Sequence, residues 1–210
     1  MFVPLSLKNT RPLKQGSRRH VFQHPREPEL LVKVLKSEEG KEFSLGLPGL
    51  RLRRPNEMTR SFQREIGEFL RVRAQIPQGP LPIARVFGIV DTDLGTGLVV
   101  EKIAGQDGGL APSLKVRVRE RGFDDGLKHR ILTLRDEVIH CGLVTGDINT
   151  NNIVIGCGAD GADRLVIVDG IGDKTFLPVN SLIPFINRRS LQRRFARMII
   201  RLRELDSQRK

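Results

Sequence analysis

The chain has no tryptophan and no tyrosine in 210 residues, and only two cysteines. The missing aromatics argue against a nucleic-acid platform built on base stacking. Cys141 and Cys157 make no disulfide framework and have no metal-ligand spacing, so they read as unpaired thiols in a reducing compartment. No apolar run approaches the ~20 residues that span a bilayer. The opening residues, Met1 to Leu7, lack a basic region followed by a long apolar core and do not read as a signal peptide. A cytoplasmic location is therefore expected. Neither an internal repeat nor a low-complexity tract is present.

Acidic residues are in short supply. Asp and Glu number 24 against 36 Lys and Arg, a net charge of +12. That balance favours polyanions: nucleotide, nucleic acid or an anionic surface. Much of the excess is local. Arg51, Arg53, Arg54 and Arg60 crowd one segment. Arg188, Arg189, Arg193, Arg194, Arg197, Arg201 and Arg203 decorate the last. Residues 187 to 205 read as an amphipathic helix with Leu191, Phe195, Met198, Ile199 and Leu202 on one face. The plain reading is a packed stripe with solvated arginines. The sharper one is an anionic partner bound by this helix.

The most informative stretch runs from His140 to Lys174. Asp147 follows a helix-like segment, Asn152 comes soon after, and two apolar runs (Ile153 to Ile155, Leu165 to Val168) lead to Asp169-Gly170. Phosphoryl transfer needs few groups held in fixed places. A carboxylate orients the attacking hydroxyl, and an amide with a second carboxylate holds magnesium on the nucleotide phosphates. A hairpin with Asp147 and Asn152 before it and Asp169 after it supplies that layout. The competing reading makes Asn149, Asn151 and Asn152 turn formers and Asp169-Gly170 a hairpin turn.

Upstream, Leu30 to Leu35 is an apolar run with Lys33 inside it, which reads as a strand. A lysine there has to reach solvent or be paired. Phe62, Ile66, Phe69 and Leu70 recur at helical spacing, and Glu65 beside them can face the strand of Lys33. Lys14 to Pro25 reads as strand, turn at Gly16-Ser17, and strand. Backbone amides at Gly16, with Arg18 or Arg19, can contact phosphate; an ordinary basic hairpin fits the same residues.

The order Lys33, Glu65, Asp147, Asn152, Asp169 resembles the protein-kinase-like fold. Gly146 to Val154 looks closer to its small-molecule kinases than to protein kinases. The chain as a whole, over about residues 10 to 200, resembles the PhoP regulatory network YrbL family, most distinctively at Leu165 to Lys174. The resemblance implies an α+β, compact two-lobed kinase-like fold in one domain. Its strand-rich N-lobe would span about residues 1 to 103 and a reduced helical C-lobe residues 104 to 210. It implies ATP and Mg2+ as ligands. Lys33 would contact the α and β phosphates, Glu65 would pair with Lys33, and Gly16 would lie over the phosphates. Asp147 would orient a hydroxyl, and Asn152 and Asp169 would bind magnesium.

The departures are specific. Thr145 and Gly146, not His and Arg, precede Asp147; Gly170-Ile171 follows Asp169 without a Phe; no Ala-Pro-Glu segment appears. A peptide substrate is therefore not expected.

Elsewhere, residues 10 to 36 read as short strands and 37 to 59 as a polar insertion or mobile loop. Residues 60 to 75 read as a helix, 84 to 90 and 97 to 103 as a hairpin, and 127 to 141 as a helix. The expected function is an ATP-binding, magnesium-dependent phosphotransferase acting on a hydroxyl. The alternatives are a pseudokinase acting as a regulatory or interaction module, and a basic nucleic-acid-binding protein.

Overall fold

The computed structural model describes residues 3–16, 19–36, 43–44, 51–52, 57–157, 163–172 and 184–209. The chain divides into two units. Residues 1–66 with 86–100 form the first, and residues 67–85 with 101–210 the second.

The first unit holds a five-stranded sheet of order β1-β2-β3-β7-β6. Its strands are β1 (Lys14–Gln15), β2 (Arg19–Gln23), β3 (Leu30–Leu35), β6 (Val86–Thr92) and β7 (Gly95–Glu101). Strand β3 is buried from Leu31 to Val34. Phe22, Val32 and Val34 pack with Leu5 and Leu7 in one apolar cluster. β6 and β7 form the expected hairpin around Asp93-Leu94. The Asp93 carboxylate accepts from the amides of Leu7 and Lys8 and from the Ser6 hydroxyl, tying down the N-terminal segment. Within the stretch expected to be a loop, β4 (Phe43–Ser44) pairs with β5 (Arg51–Leu52). The rest of 37–56 lies outside the described residues.

Helix α1 (Glu57–Gln75) starts three residues before the expected boundary. Its first part belongs to the first unit and its remainder to the second. Its buried positions are Phe62, Glu65, Glu68 and Val72, while Leu70 is exposed. The inward face is thus centred on Glu65 rather than on the purely apolar stripe read from the sequence.

The second unit packs helices α2 (Leu114–Arg121), α3 (Asp125–His140) and α4 (Pro184–Ser207) with the hairpin β8 (Ile153–Cys157) and β9 (Asp163–Ile167). Ser113 caps α2 and Asp124 caps α3; the Asp124 carboxylate accepts from the Leu127 amide at 2.6 Å. Leu114 and Val118 of α2, Ile131 and Val138 of α3, and Leu191, Phe195 and Leu202 of α4 close over Ile153, Leu165 and Ile167. Cys157 ends β8, paired with Asp163.

Candidate functional site

Lys33 meets the requirement set by its apolar strand. Its ammonium donates to Glu65 Oε1, and both residues are buried. Glu65 Oε2 accepts from Arg19 at 2.9 Å, and the same guanidinium donates to Ser61 Oγ at 3.0 Å. One carboxylate therefore serves two cations. Arg19, expected as a phosphate contact, is occupied with the helix. Gly16 is placed at the β1–β2 turn, but its amide donates to the Arg19 carbonyl at 2.9 Å and is used by the turn itself. Arg18 lies outside the described residues.

In the second unit, Asp147, Asn152 and Asp169 converge. Asn152 Nδ2 donates to the backbone carbonyl of Asp147 at 3.2 Å and to its Oδ2 at 3.3 Å. The amide is thereby turned so that its oxygen is not the group facing Asp147. Asn149 is the turn former, its Oδ1 accepting from the amides of Asn151 and Asn152. Asp169 Oδ1 accepts from the Gly170 amide at 2.7 Å. Gly170 has φ +77°, and a Cβ there would stand 2.7 Å from the Asp147 carbonyl oxygen and 3.1 Å from Asn152 Nδ2. Its carbonyl accepts from Thr145 Oγ1 at 2.7 Å and from the Gly146 amide. Asp169-Gly170 is thus no hairpin turn. It brings the end of β9 against the loop that carries Asp147.

Three side chains hold the chain just before Asp147 by its backbone. Glu68 accepts from the Val144 amide. Asn187 Nδ2 donates to the Leu143 carbonyl at 3.0 Å. Arg194 donates to the Thr145 carbonyl. Arg71, bonded to Glu68, also donates to the carbonyls of Cys141 and Gly142. The Glu68 hydrogen bond raises the Arg71 pKa, and burial pushes the Cys141 thiol up. Both α1 and α4 therefore contribute residues that the sequence did not single out.

The donor set suits magnesium. Asn152 and Asp169 offer hard oxygens, and this ion is commonly held by one or two carboxylates together with substrate phosphates and water. No cluster of three or more His, Cys, Asp or Glu side chains that could hold a metal ion is present among the described residues.

A cavity of about 270 Å³ opens on the same loop. It is lined by Gly146 to Thr150 and, from α4, by Arg194, Arg197, Met198 and Arg201. These three arginines were read as part of a solvated face.

The family model described as PhoP regulatory network protein YrbL matches residues 5–203. The chain belongs to that family. Among solved structures, the chain is similar to the kinase domain of Mycobacterium tuberculosis PknI. A double mutant of that domain superposes with TM-score 0.54 at 18% identity, over 91% of this chain and 70% of the other. A second structure of the domain gives TM-score 0.52 at 19% identity, over 91% and 71%. At such identity the likeness establishes an α+β, kinase-like fold. No curated protein matches the sequence. No helix among the described residues is long and apolar enough to cross a membrane.

Proposed function

We propose that the chain is an ATP-binding, magnesium-dependent phosphotransferase that passes the γ-phosphoryl group to a hydroxyl acceptor. It is read as one kinase-like domain, with the sheet-bearing unit as N-lobe and the helical unit as a reduced C-lobe. The observation that carries this reading is the convergence of Asp147, Asn152 and Asp169 around Gly170. Asp147 orients the acceptor hydroxyl and takes its proton. Asn152, bonded to that carboxylate through its Nδ2, restrains it and leaves its own oxygen as a donor for a metal. Asn152 and Asp169 would hold magnesium, which would offset charge on the phosphates when bound. Lys33, paired with Glu65 in a buried strand, contacts the α and β phosphates. A loose transition state leaves the protein these positioning and charge-stabilising tasks. The cytoplasm, where Mg-ATP is abundant, is the compartment this reading calls for.

The test is a thermal-shift titration with Mg-ATP beside an ADP-release assay. A ligand that binds only the folded state stabilises by about 2.7 kcal/mol at one hundred times its Kd. Wild type should show a magnesium-dependent rise in Tm. Asp169→Ala should lose that rise. Asp147→Ala should keep it while losing phosphoryl transfer. An Asp147→Ala variant with full activity would remove the mechanism, and no magnesium-dependent rise in the wild type would remove the nucleotide site.

A second reading is a pseudokinase that binds nucleotide without turnover. The sharing of Glu65 between Lys33 and Arg19 favours it, as does the engagement of the Gly16 amide within its own turn. It gives the same thermal shift with no ADP formed from any acceptor.

A further inference from the structure

The cavity beside Asp147 has a chemical character of its own. One wall is the loop from Gly146 to Thr150; the other is α4, which contributes Arg194, Arg197 and Arg201. Positions 194, 197 and 201 fall on one stripe of a helix, because residues three and four apart share a face. Met198, between them in sequence, is buried beneath. Arg194 is half-buried and fixed by its bond to the Thr145 carbonyl. Arg197 and Arg201 are exposed, and neither has an ion pair with a described residue. Three guanidinium groups thus face a cavity that contains one carboxylate, Asp147. Simple packing of α4 does not call for that arrangement: the apolar stripe of Leu191, Phe195, Met198 and Leu202 already packs the helix.

We infer that this cavity is the acceptor site and that the acceptor is a small anionic alcohol. It would carry a phosphate or carboxylate group held by Arg197 and Arg201, and a hydroxyl presented to Asp147. The inference rests on the phosphotransferase reading and names its substrate class. Guanidinium groups match both anions because they donate two parallel hydrogen bonds in one plane. The volume, about 270 Å³, lies just below the ~300–1,000 Å³ typical of small-molecule pockets. That suits a compact metabolite. In the transfer, the bond from the γ-phosphorus to the β–γ bridging oxygen of ATP breaks and one to the acceptor oxygen forms. The hydroxyl proton passes to the Asp147 carboxylate, and ADP leaves.

The test uses the full chain and inorganic phosphate as the anionic probe, in the absence of nucleotide and magnesium. Isothermal titration of wild type should show binding. The Arg197→Gln/Arg201→Gln double variant should bind about tenfold more weakly or worse, because hydrogen bonds to charged groups are being removed. Both arginines are exposed, so the double variant should keep the wild-type Tm without ligand and its Mg-ATP shift. Equal phosphate affinity in the two proteins, or none in wild type, overturns the inference while leaving the nucleotide reading intact. The converse, arginine-dependent phosphate binding without any Mg-ATP shift, marks an anion site that serves no kinase. Glycerol 3-phosphate and glycerol, compared as competitors, should separate by charge. Co-sedimentation with phosphatidylglycerol vesicles covers the rival source: binding to vesicles lost in the double variant, with phosphate affinity unchanged, assigns the stripe to a membrane surface and overturns the small-molecule site.

Discussion

Replacing Gly170 with alanine isolates how tightly the Asp147 loop and the end of β9 are fitted together. Two separate terms oppose the change. Gly170 has φ +77°, where a side chain with a Cβ costs ~1–2 kcal/mol. The new Cβ would also stand 2.7 Å from the Asp147 carbonyl oxygen and 3.1 Å from the Asp147 Cβ. Relieving such overpacking costs ~1–3 kcal/mol. The conformational term can be measured alone at Gly108, which has φ +75° and open space where a Cβ would go. Urea unfolding of both variants should therefore show Gly108→Ala losing ~1–2 kcal/mol and Gly170→Ala losing ~2–5 kcal/mol. The excess is the contact with Asp147. Its relief should displace the loop from Asn152 and weaken Mg-ATP binding in the Gly170 variant only. If the two variants lose the same stability and bind Mg-ATP alike, Gly170 is not pressed against Asp147 and the convergence described above is wrong.

The buried cations of the first unit should respond asymmetrically. Lys33→Met leaves Glu65 paired with Arg19, whereas Glu65→Leu removes the carboxylate that Lys33 and Arg19 share. Chemical denaturation should show the larger loss, roughly 3–5 kcal/mol, for Glu65→Leu, with Lys33→Met/Glu65→Leu recovering part of it; equal losses in the two single variants would deny the shared carboxylate. Asp93 supplies a pH dependence. Hydrogen bonding from the Leu7 amide holds its carboxyl below the ordinary value of 3.8. A depressed folded value means stability that is present above 3.8 and lost as pH falls below it, when the carboxylate finally protonates. Acid unfolding of Asp93→Asn should lack that component, and an unchanged acid limb would assign the N-terminal tether elsewhere.

The elements that sequence reading located share a strong local pattern. Strand β3 is a continuous apolar run, so the lysine within it stood out and had either to reach solvent or to be paired. The hairpin β8–β9 and its flanking acids were likewise carried by two short apolar runs. Helix α2 was missed because Lys115-Val116-Arg117-Val118-Arg119 alternates like a strand. Its helical state comes from the Ser113 cap and from packing of Leu114 and Val118 against α4, neither of which a period-two pattern reveals. Nothing in the sequence marked Glu68, and Arg194 read as one of the solvated arginines. Their partners, Val144 and Thr145, lie 76 and 49 residues away in sequence, so no local signal could distinguish them. The arginine stripe of α4 was legible as a basic helix, but which arginines face the Asp147 loop depends on the rotation of that helix, which is set by Phe195 and Leu202 in the core.

The hold on residues 143 to 145 is made through their peptide groups: an amide at Val144 and carbonyls at Leu143 and Thr145. A grip of that kind is indifferent to which side chains positions 143 and 144 carry, provided they still pack, whereas Thr145 is held by its hydroxyl as well, through the Gly170 carbonyl. Drift at Leu143 or Val144 among apolar residues would leave Asp147 where it is. Proline at 144, which has no N–H to offer Glu68, would not. The vulnerability of the loop has thus been moved off the loop, to a glutamate, an asparagine and an arginine on two distant helices. Lesions that silence the chemistry can be sought there, in residues that touch neither nucleotide nor acceptor through the contacts that make them matter.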